Sequence, residues 1–147
     1  MKKFNIALLI VLLIGIIAAA EDFRLEEKEQ IQKTLKFQDP AKPRELQVDN
    51  IFGSIIVEGY SGEEVMLIAH KTIRGRSAEK IQKAKEEVQL KISEEGNTID
   101  LYVDGPFRCS EERRRRSWRD PGYEVQFDFE LKVPGKTNLY LKTVNKG

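Results

Sequence analysis

The stretch Tyr123-Glu-Val-Gln-Phe-Asp-Phe-Glu-Leu-Lys-Val133 decides the fold. Tyr123, Val125, Phe127, Phe129, Leu131 and Val133 fall on one face of an extended chain, and Glu124, Gln126, Asp128, Glu130 and Lys132 fall on the other. A period of two is the signature of a β-strand with one dry and one wet face. At roughly 1.5–3 kcal/mol for each large side chain fully buried, such a face contributes on the order of 10 kcal/mol gross. Chain entropy opposes that gain. A face of this kind requires a second layer to cover it. Pro134-Gly135 ends the run.

The same alternation recurs on both sides. Ile31, Leu35 and Phe37 suggest a first strand after a charged lead-in from Glu21 to Gln30, with a short helix as the competing reading of Glu26 to Lys36. Asp39-Pro40-Ala41-Lys42-Pro43 is a turn. Leu46–Asp49 and Ser54–Glu58 read as short strands joined by a corner from Asn50 to Gly53. Glu64 to Ile73 reads as a longer strand in which Val65, Leu67, Ala69 and Ile73 form a stripe that Lys71 interrupts. Ser77 to about Glu87 is the one helix: Ser77 can cap it, Glu79 sits in its first turn, and Ile81, Ala84 and Val88 share a face. Val88, Leu90, Ile92, then a turn at Glu95-Gly96-Asn97, then Ile99, Leu101 and Val103 form a hairpin. Leu139 and Leu141 open a last alternation before Gly147. The chain is therefore mainly β, with one short helix at about 77–87.

Residues 1–20 stand apart. Lys2 and Lys3 precede an uncharged run from Ile6 to Ala20 that ends in small residues, with Ala18 and Ala20 in signal-peptidase positions. The expectation is a cleaved secretory signal followed by one domain over residues 21–147. The alternative is an N-terminal membrane anchor, for which the apolar run is short. Export places the protein in the periplasm, at the cell surface or outside the cell. Cys109 is the only cysteine, so no disulfide within the chain can form.

The ending echoes an earlier segment. Leu46-Gln-Val-Asp-Asn-Ile-Phe-Gly53 and Leu139-Tyr-Leu-Lys-Thr-Val-Asn-Lys-Gly147 both run alternating apolar residues into an Asn-and-Gly corner, as stacked rungs of a solenoid do. The first copy continues into another strand, and nothing follows the second. The segments LQVDNIFGSIIVEGYSGEEV, VQLKISEEGNTIDLYV and VQFDFELKVPGKTNLYLKTVNKG together resemble a bacterial family of exported, adhesin-like β-strand-repeat domains of unknown function, over roughly residues 31 to 147. The resemblance implies an antiparallel or solenoid-like β-sheet domain, truncated at the C-terminus where repeating rungs begin. It carries no catalytic residues over.

Composition narrows the chemistry. Twenty-five Lys and Arg against 24 Asp and Glu exclude a uniformly basic polyanion binder. One His and one Cys exclude a His/Cys metal cage. His70 is the only histidine base available, and no nucleophile or orienting acid is evident in sequence. Gly59-Tyr60-Ser61-Gly62 lacks the spacing of a nucleophile elbow. The sharpest local feature is the basic loop 105–122, where Arg108, Arg113, Arg114, Arg115, Arg116 and Arg119 outnumber Glu111, Glu112 and Asp120. Phe107, Trp118 and Tyr123 are interleaved with it. Guanidinium groups bind phosphate, sulfate or carboxylate in a bidentate manner, and aromatics stack on sugars or bases. The expected function is a non-enzymatic envelope or surface protein that binds or builds. The alternative is a polyanion-binding module on Arg108, Arg113–Arg116, Trp118 and Arg119. No cofactor, no metal and no specific nucleic-acid recognition is expected. The expected partners are an envelope polyanion or another protein at the open C-terminal sheet edge.

Overall fold

A computed structural model describes residues 11–13, 23–108 and 121–144. In chain order the elements are β1 (Val11–Leu13), β2 (Leu25–Lys36), β3 (Arg44–Asp49), β4 (Ile55–Tyr60), β5 (Glu64–Gly75), α1 (Ala78–Glu87), β6 (Gln89–Glu95), β7 (Thr98–Asp104), β8 (Tyr123–Pro134) and β9 (Thr137–Lys142). They form two open sheets. One has the order β1-β2-β5-β8-β4 and the other β6-β7-β3-β9.

The first sheet is built on three 12-residue strands, β2, β5 and β8, paired antiparallel. The alternation from Tyr123 to Val133 is met in full, since all six inward residues of β8 are buried. β2 is longer than its apolar residues indicated. Its pairing with β5 runs from Leu25 opposite Gly75 to Lys36 opposite Glu64, so the charged lead-in from Leu25 onward is strand rather than helix. Ladder hydrogen bonds along β5 outweigh the helix-forming composition of this segment. Val11–Leu13, within the segment expected to be a cleaved signal, pairs antiparallel with the far side of β2 as an edge strand.

The expectation of an antiparallel sheet is corrected in one respect: both sheets are mixed. β4 runs parallel to β8, and β3 runs parallel to both β7 and β9. Parallel pairing needs a crossover, which here passes between the sheets. β3 leads through the 50–54 corner into β4 of the other sheet, and β8 turns through Gly135 and Lys136 into β9.

Leu46 and Val48 of β3, Ile99, Leu101 and Val103 of β7, and the inward residues of β5 and β8 form one buried cluster. The helix closes one side, placing Ile81 and Ala84 on the core and packing against β5, β8 and β2. Ser77 caps it as the sequence indicated, its hydroxyl oxygen accepting from the Lys80 N–H. Gly53 makes the corner feasible: its φ is 116°, and a Cβ there would collide with the Phe127 carbonyl oxygen.

Candidate functional site

The strand part of the echo between residues 46–53 and 139–147 can be placed, while positions 145–147 lie outside the described residues. β9 lies beside β3 with Leu139 opposite Leu46, Tyr140 opposite Gln47 and Leu141 opposite Val48. The two copies are thus in register. Their environments differ: Leu46 and Val48 are 0% and 1% exposed, whereas Leu139 and Leu141 are 42% and 44% exposed. No strand among the described residues follows β9 on its free side. β4 occupies the same outer position in the first sheet, beyond β8. Since β3 passes to β4 and β8 to β9, each crossover steps outward, and the free edges of both sheets lie at one end.

The corner that joins the sheets is held by Asn50, which is fully buried. Its side-chain amide donates to the Phe127 carbonyl at 2.9 Å, and its Oδ1 accepts from the Ile51 N–H at 2.9 Å. Its backbone N–H donates to the Lys142 carbonyl at 2.8 Å. One residue therefore ties β3, β8 and β9 together. Thr143, at the matching position of the second copy, donates its hydroxyl to the Gly53 carbonyl at 3.0 Å.

That Asn50–Lys142 bond fixes which backbone groups of β9 are free. In a parallel ladder a residue turns its N–H and C=O to the same side, and sides alternate along the strand. Lys142 faces β3, so Leu139 and Leu141 present their N–H and C=O to the open edge. The same alternation holds in β4, where the Ser54 and Tyr60 carbonyls accept from Phe129 and Gly135 of the β8 side. Ile55, Val57 and Gly59 are therefore the open residues of β4.

The outer face of the second sheet carries a shallow groove lined by Gln47, Asp49, Asp100, Tyr102, Tyr140 and Lys142. Register sets Asp100, Gln47 and Tyr140 side by side on β7, β3 and β9. Burial, and then the neighbouring charge of Asp49, push the Asp100 carboxyl above its ordinary range.

Arg108, expected as an anion ligand, is engaged within the chain. Its guanidinium donates to the Asp49 carboxylate and carbonyl, each at 2.8 Å, and to the Val103 carbonyl at 2.9 Å. It also stands 4.3 Å over the Tyr102 ring. One Asp49 carboxylate oxygen and two backbone carbonyls already occupy this fork, so Arg108 is engaged within the chain rather than awaiting an external anion. Two of the interleaved aromatics are likewise packing residues. Tyr123 is buried, and Phe107 meets Phe52 and Tyr123 edge-on. Arg113–Arg116, Trp118 and Arg119 lie outside the described residues.

His70 stands on the outer face of β5, with Nε2 3.5 Å from the Glu130 carboxylate. Ser54, the nearby hydroxyl, donates to Asp128 at 2.8 Å, so it is aimed at the acid rather than at His70. The order of contacts is not that of a nucleophile activated by a base. Among the described residues no cluster of three or more His, Cys, Asp or Glu could hold a metal ion. No described helix is long and apolar enough to cross a membrane.

Lys71, expected to interrupt the β5 stripe, is placed differently. It does not break the β5 stripe; it is buried in phase with it. Its ammonium donates to the Val88 carbonyl at 2.8 Å, just past the C-terminus of α1, and lies 5.6 Å from the Phe127 ring centroid. Burial holds its pKa below the ordinary lysine value; Glu29 opposes that shift and Lys85 adds to it. The clue was positional: residue 71 shares parity with 65, 67, 69 and 73.

Comparison of the chain with protein-family models, with curated proteins and with solved structures returns no match.

Proposed function

We propose that this chain is an exported, non-enzymatic cell-envelope protein that works through its strand edges, as a binding or structural module of adhesin-like, β-strand-repeat architecture. On this reading β3, the Asn50 corner and β4 make a first solenoid-like rung, and β9 begins a second on top of it. A strand added to the open end gains main-chain hydrogen bonds along the edge and pockets for alternate side chains.

The observation that carries the reading is the register of β9 on β3, which leaves Leu139 and Leu141 inward yet half-exposed. Edge strands are ordinarily blunted by charge. β6, and β2 once the expected cleavage removes residues 1–20 and β1 with them, follow that rule with Lys91, Glu94 and Glu95, and with Glu26, Glu27, Lys28, Glu29, Lys33 and Lys36. β4 and β9 carry a single charged residue each, Glu58 and Lys142.

The test separates membrane and soluble fractions of the native host and measures the intact mass of the chain in each. It also compares amide exchange at Leu139 and Leu141 in the envelope and after purification. The expected result is a chain beginning at Glu21, recovered with the envelope or outside the cell, with exchange slower there than in dilute solution. An unprocessed chain in the cytosol, exchanging equally fast at β9 in both preparations, overturns the proposal.

A further inference from the structure

We propose that the occupant of the open end is a second copy of this chain, joined by a two-fold axis that continues both sheets at once. The inference rests on the strand-edge reading above and goes further by naming the partner and the register.

Leu139 and Leu141 present N–H and C=O to the open edge of β9. Antiparallel pairing of β9 with its own copy, centred on Tyr140, sets Leu139 against Leu141 of the second copy, each exchanging both hydrogen bonds. Thr137 meets Thr143 in the same way. Leucine faces leucine on the inner side, where both are half-exposed in the single chain. Tyr140 faces its symmetry mate on the outer side, and Lys142 meets Asn138, so no like charges are opposed.

β4 obeys the same rule. Centred on Ile56, self-pairing sets Ile55 against Val57 of the second copy through their open backbone groups. Centring on Glu58 would oppose two carboxylates, so charge selects the Ile56 register.

One axis serves both strands. Tyr140 pairs with Gln47, three residues before the Asn50 corner, and Ile56 follows Ser54, on the far side of that corner, by two residues. An axis perpendicular to the sheets passes through both positions and turns two open sheets into two continuous ones. Ile56 and Tyr140, at 60% and 59%, are the most exposed large hydrophobic residues described. The axis places each against its own copy. A closed two-fold contact is self-complementary and does not propagate into a filament.

The test uses the full chain with Cys109→Ser, carrying either Tyr140→Cys or Ile56→Cys, under a mild oxidant. His70→Cys on the outer face of β5 serves as the control. Light scattering on the unmodified chain gives the mass. Expected are a dimer mass, a disulfide-linked dimer from each of the two axial cysteines, and none from position 70. Tyr140→Lys, which leaves the core untouched, is expected to weaken association at least tenfold while the thermal transition of the monomer persists. Trapping at 140 without trapping at 56 overturns the dimer through both sheets. A monomer whose Leu139 and Leu141 amides are nevertheless protected in the envelope also overturns the dimer, and leaves the strand-edge reading standing. A monomer unprotected in both settings overturns both.

Discussion

Asn50 shows how one side chain can define a corner. Its amide and carbonyl meet two buried backbone groups, and its own N–H reaches β9. Asn50→Ala would leave the Phe127 carbonyl and the Ile51 N–H without their partners. The expected loss is about 1–3 kcal/mol for each buried group left unsatisfied, read from urea denaturation. Lys71 behaves differently, because its charge is the liability. Its folded pKa lies below the ordinary 10.5, so between the two values the unfolded chain binds the extra proton. Stability therefore rises with pH through that window, and the burial penalty stands in full below it. Lys71→Met is expected to flatten this alkaline rise in the urea midpoint, at the cost of the bond to the Val88 carbonyl.

At the scale of elements, the turn between β8 and β9 holds an evident strain. Lys136 has a φ of 62°, a left-handed conformation that a side chain disfavours. Lys136→Gly is expected to stabilise the chain by about 0.5–1 kcal/mol, seen as a higher thermal midpoint, because relief of the left-handed strain outweighs the added freedom of the unfolded glycine. Gly135, one position earlier, does not occupy the left-handed region. The β8 strand itself is the structural axis of the molecule, and Phe127 is stacked on Phe129 at 6.0 Å beneath the Asn50 corner. Phe127→Ala is expected to cost about 3–5 kcal/mol, as deletion of a buried aromatic ring does.

Across the whole molecule, the electrostatics predict acid sensitivity. Burial pushes Asp128 upward, but the Ser54 N–H and hydroxyl, the Gln126 amide and the charge of His70 together hold it below its ordinary value. Glu26 is held low mainly by Arg74, with Lys28 adding to the effect against burial. Carboxyls with folded pKa values below their unfolded ones give stability that is present above about pH 4 and lost as pH falls through the folded values. The midpoint of urea unfolding is expected to drop below pH 4, less steeply in Asp128→Asn. An unchanged acid limb in that variant would show that Asp128 does not contribute.

Period-two alternation located β3, β5, β7, β8 and β9, and the serine cap located α1, because burial of one face and local hydrogen bonding leave their mark within a few residues. The Asn-and-Gly corner at 50–53 was legible for the same reason. Other features depended on neighbours far along the chain. β2 extends back to Leu25 because β5 offers it a full ladder, whatever its helix-forming composition. Lys71 is buried because α1 ends with a carbonyl above it. Arg108 is spent on Asp49, 59 residues away, so a charge run that looked available in sequence is partly structural. The sequence alone determined a mainly β chain with one helix. Tertiary structure decided that the strands divide into two mixed sheets, which charges are engaged, and that, among the described residues, two apolar edge strands lie at the same end. Those outcomes rest on pairings between distant segments, and strand partners leave no local period in a sequence.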